Sequence, residues 1–343
     1  MAPTNRAAFY PSDKASKLKV DVSPYPTAGE NDVIIKVAVA AVNPVDHKIQ
    51  TAGTDIFPFL TYPYVGGIDV AGTVAEVGAS VTKFRPGDRV LGFPSDFACR
   101  AGGYQEYTAV PASVVTLLPA RTSFLDAATL PSSVATGAVA LYQYLNLAHP
   151  SVPARPRNGQ TLLVTAGASC VGSHTIQLAV ASGYEVITTS SPHNFAHCTA
   201  MGASRVFDYH SATLVQDVKD AFKGKQCAGA FSSVESSNAL VFDVVSASEG
   251  SKSVACSILF SPETVPADLK VEWIHAYYIK DTPLADVIFG TFLPAALASG
   301  QYKAAPKPHV VGTGLESVQA AFEISRANAV SCEKLVVTLT EEA

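Results

Sequence analysis

Residues 160–183 read QTLLVTAGASCVGSHTIQLAVASG, and this stretch decides the fold. An apolar strand runs into a turn at Gly167, and a helix-like segment follows and ends at Gly183, a residue suited to stop a helix. Within the turn, Gly167, Ser169 and Gly172 match the spacing G-x-G-x-x-G, with serine at the second position. In that pattern the glycines permit a tight turn, close approach to a pyrophosphate, and close packing of helix on strand. The turn therefore predicts an anion site at a helix N-terminus; the alternative is a structural turn without a ligand.

The chain continues this alternation beyond the turn. YEVITTSS, SRVFDY, AGAFSSV and KSVACSILF read as strands, with the helix-like segments HNFAHCTAMG, LVQDVKDAFKG and ALVFDVVSAS between them. Apolar strands that alternate with helices predict a parallel sheet covered on both faces. Between residues 127 and 184 only Arg155 and Arg157 are charged, which fits the buried centre of a doubly wound sheet. PLADVIFGTFLPAALASG reads as a later helix with a kink or break at Pro294.

The first part of the chain has a different pattern. DVIIKVAVAAV, DVAGTVAEVG, DRVLGF and YQEYTAVP are short strand-like runs separated by glycine and proline. Short strands with closely spaced turn signals predict a barrel-like β domain. The chain ends with a strand–helix–strand pattern in KPHVV, GLESVQAAFEISRAN and EKLVVTL.

Composition excludes several classes of function. The 343 residues include 24 Lys and Arg and 29 Asp and Glu, a formal net charge of −5, and only 15% of residues are charged. A nucleic-acid binder needs a basic face, so that class is excluded. Residues 127–154 lack charge but are too polar and too broken for a bilayer span, and the N-terminus has no signal-peptide pattern. We expect a cytoplasmic protein whose six cysteines are reduced and are mostly core residues.

The end of the second strand indicates which dinucleotide would bind. An NAD site places Asp or Glu about 20 residues beyond the glycine turn, but this chain has Ser190, Ser191, Pro192, His193 and Asn194 there. No carboxylate in this run would repel a 2′-phosphate, and several side chains offer hydrogen bonds. Tyr209, at the end of the third strand, could reach the same region. The sequence favours NADP(H); the alternatives are an ordinary capping turn and a strand-end aromatic residue.

Taken together, the motifs resemble the medium-chain dehydrogenase/reductase superfamily. They occur in the family's order and spacing over essentially the whole chain: NPVDHK (43–48), GGIDVAG (66–72), KFRPGDRV (83–90), GGYQEY (102–107) and the turn at 167–172. The resemblance implies an α/β protein with a GroES-like β-barrel domain and a Rossmann doubly wound parallel sheet. The first domain would comprise residues 1–130 and 305–343, and the NADP-binding domain residues 131–304.

The same resemblance speaks against a metal site. The zinc alcohol dehydrogenases carry a cysteine in the segment that matches residues 43–48, and Gly-His-Glu where this chain has Gly67-Ile68-Asp69. Their four-cysteine lobe for structural zinc is missing here as well. Without converging Cys, His and carboxylate ligands we expect no zinc site and no Lewis-acid step.

Within the zinc-independent branch, the segments SPHN (191–194), VFDY (206–209) and NPVDHK resemble the trans-acting enoyl reductases of fungal polyketide biosynthesis. The resemblance implies NADPH contacts from the following residues: Val45, Asp46, His47, Lys48, Gly167, Ser169, Cys170, Val171, Gly172, Ser190, Ser191, Pro192, His193, Asn194, Tyr209, Leu259, Phe260, Val336 and Val337. It implies substrate contacts from two further segments: Ser132, Ser133, Val134, Ala135, Thr136, Gly137, Ala138 and Val139, and Phe289, Gly290, Thr291, Phe292 and Leu293.

Reduction of a C=C conjugated to a carbonyl needs a hydride at the β-carbon, a proton at the α-carbon and stabilisation of the enolate. Lys48 is the first catalytic candidate, because it could bond the nicotinamide ribose or the thioester oxygen. Thr136, with Ser132, could add a hydroxyl near the enoyl carbonyl; helix capping is the alternative. Tyr104 and Tyr107 are possible acids but read more simply as packing residues.

These observations predict an NADPH-dependent enoyl reductase acting on an α,β-unsaturated acyl thioester, which we expect to be held by a carrier of a partner polyketide synthase. One alternative is a quinone or small-enone reductase with the same hydride chemistry. Another, from a different class, is a dinucleotide-binding partner protein with little turnover. The sequence leaves open whether the chain is a monomer or a homodimer.

Overall fold

The chain divides into two compact units, Met1–Pro131 together with Lys307–Ala343, and Ser132–Pro306. The division falls at residues 131 and 306, where the sequence predicts 130 and 304. The computed structural model describes residues 3–340.

Eight strands and two helices come from the N-terminal segment of the first unit: β1 (Asn5–Tyr10), β2 (Lys19–Ser23), β3 (Asp32–Ala41), α1 (Pro44–Ala52), β4 (Tyr64–Val65), β5 (Asp69–Val77), β6 (Arg89–Gly92), β7 (Tyr107–Pro111), β8 (Val115–Leu117) and α2 (Phe124–Ala127). The next group runs from the domain boundary to the end of the second unit: α3 (Pro131–Ala138), β9 (Gln160–Val164), α4 (Cys170–Ala181), β10 (Glu185–Ser190), α5 (Phe195–Ala200), β11 (Arg205–Asp208), α6 (Leu214–Phe222), β12 (Gln226–Ser232), α7 (Asn238–Ala247), β13 (Glu249–Gly250), β14 (Ser253–Cys256), β15 (Lys270–Trp273), α8 (Pro283–Ala285) and α9 (Leu293–Ser299). The C-terminal segment returns to the first unit with β16 (Lys307–Thr313), α10 (Val318–Arg326) and β17 (Glu333–Thr338).

The second unit is built on a parallel sheet with the strand order β11-β10-β9-β12-β14-β15, and β13 pairs with β12. From β9 the chain first builds outward to β10 and β11, then crosses to the other side for β12. This reversal makes the carboxyl end of β9 the topological switch point, where ligands bind in such sheets. The central strands β9, β10 and β12 are buried, and Leu163, Ile187 and Ala230 are fully inaccessible to solvent.

The first unit is a β domain completed by both chain ends. Its larger sheet has the order β16-β17-β3-β5-β6-β8, with β7 also on β3, and its smaller sheet has the order β2-β1-β4. The pairs are antiparallel except for the parallel pair of β16 and β17. The strand β17 lies between β16 and the long central strand β3. The predicted fold class, a barrel-like β domain with a doubly wound sheet, is confirmed.

Two helical runs of the second unit contain a π-helix. The chain continues from α3 as a π-helix over Val139–Tyr144, and a second π-helix, Asp286–Phe292, joins α8 to α9. Pro294 lies in the first turn of α9, directly after the second π-helix. The predicted break is therefore present as a change of helix type just before the proline.

Within residues 3–340, one helical run, Phe124–Tyr144, is long and apolar enough to cross a membrane. Of its 18-residue apolar window, 78% is buried inside the folded chain. Core helices of folded proteins give the same signal.

Candidate functional site

The turn after β9 is held by its own backbone and by β10. The Gly167 N–H donates to the carbonyl of Thr189 over 2.8 Å, and Ala166 adopts a left-handed φ of 52°. Ser169 caps α4, because its hydroxyl accepts a 3.0 Å hydrogen bond from the Gly172 N–H. The serine at the second glycine position thus serves the helix N-terminus, the element that would carry an anion.

Two glycines leave no room for a side chain at this turn. A Cβ on Gly172 would lie 2.2 Å from the Ala166 carbonyl oxygen, and one on Gly167 would lie 2.4 Å from Oγ1 of Thr188. Glycine at position 172 therefore allows the helix to approach the turn, and glycine at position 167 allows the turn to approach β10. The cradle fits the pyrophosphate of a dinucleotide, as its G-x-x-x-x-G frame predicts.

The carboxyl ends of β10 and β11 form the second part of the candidate site. The Ser191 hydroxyl donates to the Tyr209 hydroxyl over 3.0 Å, and the Tyr209 ring lies against His210 with centroids 4.1 Å apart. Ser190 is buried, and its hydroxyl has no hydrogen-bond partner within residues 3–340. A buried hydroxyl is normally satisfied, so Ser190 is suited to meet a ligand oxygen. Pro192–Asn194 form a short 3₁₀ turn beside these residues.

A carboxylate does stand next to this group, on β11 rather than β10. Asp208 pairs in register with Ser190. Its Oδ1 accepts a 3.0 Å hydrogen bond from the His210 N–H, so it closes the turn that follows β11. Tyr209 beside it was a predicted cofactor residue, but Asp208 was not.

The remaining predicted cofactor residues differ in their exposure. Leu259 is 66% exposed, whereas Phe260 packs against the core. Val336 and Val337 are fully buried on β17, so any contact there would come from their backbone. Cys170 and Val171 open α4 and are half-buried. The roles of all of these residues remain predictions.

Helix α1 carries the catalytic candidate Lys48 in the first unit. Lys48 is exposed, and its side chain has no ion pair among the described residues. His47 contacts the Ser325 hydroxyl through Nδ1 over 3.1 Å, and burial lowers the pKa of its imidazole. Val45 is half-buried. Helix α1 thus presents a lysine that is not engaged in the fold.

A buried polar cluster of Asn43, Asp46, Asp69 and Lys334 lies at the start of α1. Of these residues only Asp46 was predicted as a site residue from the sequence. Lys334 Nζ donates to Asn43 Oδ1 over 2.5 Å and to Asp69 Oδ2 over 2.9 Å, and Asn43 Nδ2 donates to the same Asp69 oxygen over 2.7 Å. Asp46 Oδ2 accepts from the Asn43 N–H over 2.7 Å. The one sequence signal for Lys334 is its position directly before the apolar residues of the strand EKLVVTL.

Asp46 is the most perturbed carboxyl of this cluster. It is fully buried, and burial raises its pKa to about 7 against the opposing hydrogen bond from the Asn43 N–H. Its Oδ1 lacks a standard hydrogen bond, although the nearby Tyr104 hydroxyl lowers the pKa slightly. Tyr104 is itself buried, and its pKa lies well above its usual value because of that burial. Tyr104 therefore holds its proton too tightly to be a ready acid.

The predicted substrate segment 132–139 forms α3 and the start of the first π-helix. The Thr136 hydroxyl donates to the Ser132 carbonyl over 2.7 Å. Ser133 is buried, and its hydroxyl has no partner among residues 3–340. A Cβ on Gly137 would lie 2.7 Å from Thr175 Oγ1, so Gly137 allows α3 to pack closely on α4. Of these hydroxyls, the one on Ser133 is left for a ligand. Val134, Ala135, Ala138 and Val139 are buried core residues.

The second predicted substrate segment, 289–293, spans the second π-helix and the start of α9. Phe289, Phe292 and Leu293 are buried, Gly290 is half-buried, and Thr291 is exposed. Phe292 packs edge-on against Tyr302, with centroids 5.8 Å apart. These apolar side chains are part of the core of the second unit, and their role toward a substrate remains a prediction.

The described part of the chain contains no group of three or more His, Cys, Asp or Glu side chains that could hold a metal ion. In the two segments where the zinc alcohol dehydrogenases carry metal ligands, the side chains of Asn43 and Asp69 accept hydrogen bonds from the Lys334 ammonium.

Each of the two units matches a known protein family. The family profile described as the alcohol dehydrogenase GroES-like domain matches residues 29–120, and the one described as zinc-binding dehydrogenase matches residues 170–295. The chain is 43% identical to the dehydrogenase azaJ of Aspergillus niger over 98% of its own length and 99% of that protein. It is 34% identical to the trans-enoyl reductase himH of Aspergillus japonicus, covering 98% of both chains.

Solved structures agree in fold. The CurK enoyl reductase superposes with a TM-score of 0.77 at 20% identity, covering 98% of this chain and 99% of that one. A mycobacterial protein solved in complex with NADPH superposes with a TM-score of 0.73 at 24% identity, covering 98% of this chain and all of that one. At such identities the likeness shows the fold alone.

Proposed function

This chain belongs to the medium-chain dehydrogenase/reductase superfamily and is an oxidoreductase of that family, and we propose that it is an NADPH-dependent enoyl reductase. The observation that carries the proposal is the full-length similarity to a protein named trans-enoyl reductase, in a chain that keeps the dinucleotide cradle at the switch point of its sheet. The substrate class we propose is an α,β-unsaturated acyl thioester, reduced at its β-carbon.

The choice of NADP(H) rests on the ends of β10 and β11. Ser190 offers a buried hydroxyl with no hydrogen-bond partner among residues 3–340, and the Tyr209 hydroxyl, which accepts from Ser191, keeps its own proton to donate to a 2′-phosphate. An NAD site would instead place a carboxylate at the end of β10 to bind the ribose hydroxyls. We therefore propose that hydrogen bonding from neutral side chains selects the phosphorylated cofactor.

When bound, the nicotinamide supplies the hydride; the chain must orient the enoyl group and stabilise the enolate oxygen. We propose Lys48 as the cationic donor to the nicotinamide ribose or the thioester oxygen, since its ammonium is otherwise unengaged. Thr136 remains a candidate, but its proton already bonds the Ser132 carbonyl. The unpartnered Ser133 hydroxyl is therefore the better donor to an enoyl carbonyl.

Similarity to trans-enoyl reductases also supports a partner synthase that presents the acyl chain on a carrier domain. The first experiment would follow the loss of reduced-nicotinamide absorbance with a short enoyl thioester, with NADPH and NADH in parallel. Faster turnover with NADPH is expected. No turnover of thioesters, with turnover of quinones or small enones, would overturn the proposed substrate class; equal rates with NADH would overturn the proposed cofactor preference.

If free thioesters are not turned over although NADPH binds, the same assay is repeated with the enoyl group on a carrier domain of a polyketide synthase. Turnover only in that form would support the partner. No turnover in any form would leave a dinucleotide-binding protein and would overturn the enzymatic proposal.

A further inference from the structure

A lysine of the last strand ties three segments of the first unit together. Lys334 on β17 is only 5% exposed, and its ammonium reaches Asn43, just before α1, and Asp69, the first residue of β5. Because Asn43 and Asp69 are also bonded to each other, the three groups close a ring of hydrogen bonds. The ring holds one full cation against a carboxylate that is inaccessible to solvent.

Stability alone does not explain this arrangement. A buried ion pair gains little over well-packed apolar residues of the same volume, since both charges lose their hydration. The neighbouring residues of β17, Leu335, Val336 and Val337, are buried and apolar, so Lys334 is a charged residue in an otherwise apolar run. A structural role in holding the neighbouring segments in place therefore explains the polar ring better than stability does.

The ring fixes the beginning of α1. The Asn43 N–H donates to Asp46 Oδ2, and the Tyr10 hydroxyl donates to the Asp46 carbonyl over 3.0 Å. Just beyond Lys334, the Val42 N–H donates to the Leu335 carbonyl over 2.9 Å. The path from the ammonium to the helix that carries Lys48 therefore has two short hydrogen-bonded steps.

We propose that Lys334 is a positioning residue: its buried ammonium sets the N-terminus of α1, and through it the place of Lys48, without touching substrate or cofactor. The inference rests on the proposed function in so far as Lys48 serves the dinucleotide. It assigns a role to a residue more than 280 positions away in sequence from the helix it orients.

The test separates positioning from charge balance. Lys334→Met keeps the length of the side chain but removes the cation; Lys334→Met/Asp69→Asn also removes the carboxylate left behind. Lys307→Met, an exposed lysine on the neighbouring strand β16, is the matched control. For each protein we would measure the melting temperature, the NADPH dissociation constant and amide hydrogen exchange over residues 44–52.

We expect Lys334→Met to lower the melting temperature by about 5–15 °C, because it leaves a buried carboxylate uncompensated. It should weaken NADPH binding on the order of tenfold, as loss of a supporting hydrogen bond does around metal ligands, and speed exchange in α1. The double variant should recover much of the stability but neither the affinity nor the slow exchange. Recovery of all three would overturn the proposal, as would wild-type affinity in Lys334→Met.

Chemical rescue gives a readout independent of turnover. Lys334→Ala leaves space for n-propylammonium, which should raise its melting temperature and slow exchange in α1, whereas n-propanol at equal concentration should do neither. Absence of this difference would contradict an essential ammonium. If the wild-type protein binds no NADPH, the proposed function fails, while exchange and rescue still decide whether Lys334 sets α1.

Discussion

The hydroxyl of Ser191 donates a 3.0 Å hydrogen bond to the hydroxyl of Tyr209, so the ends of β10 and β11 are joined by two side chains and the Tyr209 proton is left to donate to an anion. Tyr209 is 49% exposed, which leaves its ring edge open to a ligand. The pair offers neutral donors where an NAD-binding protein would use a carboxylate.

Tyr209→Phe removes one of these hydroxyls and keeps the ring. We expect it to weaken NADPH binding by about 1 kcal/mol, roughly fivefold, and to leave NADH binding nearly unchanged. Fluorescence titration with both cofactors measures the ratio. Tyr278→Phe, another half-exposed tyrosine of the second unit, is the control. An equal loss for both cofactors would show that Tyr209 does not distinguish them.

Lys48→Ala should separate activity from stability. Because Lys48 is exposed and not engaged in the described fold, its removal should change the free energy of unfolding by no more than about 0.5 kcal/mol. Turnover should fall on the order of 100-fold if the ammonium stabilises developing charge. Lys17→Ala, an exposed lysine near the N-terminus, should leave both unchanged. Full activity of Lys48→Ala would remove its assigned role.

Asp46 should give the protein a pH dependence opposite to that of an ordinary carboxylate. Its pKa is raised from 3.8 to about 7 by burial, so the folded chain keeps a proton that the unfolded chain loses. The free energy of unfolding should therefore fall as the pH rises from about 4 to 7, with a slope approaching 1.4 kcal/mol per pH unit.

Asp46→Asn should remove this slope, because an amide does not titrate and its oxygen can still accept from the Asn43 N–H. Denaturant unfolding of both proteins between pH 4 and 8 measures the difference, and Asp243→Asn, at an exposed carboxylate on α7, serves as the control. Parallel curves for the wild type and Asp46→Asn would show that Asp46 titrates normally.

Two hydroxyls of α3 should behave differently. Ser133→Ala removes a buried hydroxyl that has no hydrogen-bond partner in the described part of the chain, so we expect unchanged or slightly greater stability, by up to about 1 kcal/mol, with turnover reduced several-fold. Thr136→Val removes a hydroxyl that bonds the Ser132 carbonyl and should change turnover less. Thermal melts and steady-state rates for the two variants decide between them; a larger loss of turnover in Thr136→Val would return the role to Thr136.

Features with a local pattern could be predicted from the sequence. The turn at Gly167–Gly172 and the alternation of strands and helices depend on residues close in the chain, and both are present. The π-helices were not predicted, because over six or seven residues their apolar pattern does not differ from that of an α-helix.

The buried cluster around Asn43 could not be predicted for a different reason. Lys334 is 265 positions from Asp69 and 291 from Asn43, so no spacing rule connects them. A lysine before an apolar strand usually lies in solvent, and only the pairing of β17 beside β3 brings it inside. Long-range pairs of this kind become visible only in the folded chain.

The position of β17 has a consequence for the order of events on the ribosome. All residues of the second unit leave the exit tunnel before β17, the strand that joins β16 to β3 in the first unit. The first unit is therefore completed only after the second unit has been made, and Asp69 stays without its counter-ion until β17 has left the tunnel. During synthesis the exposed edge of β3 is a site that chaperones would need to shield.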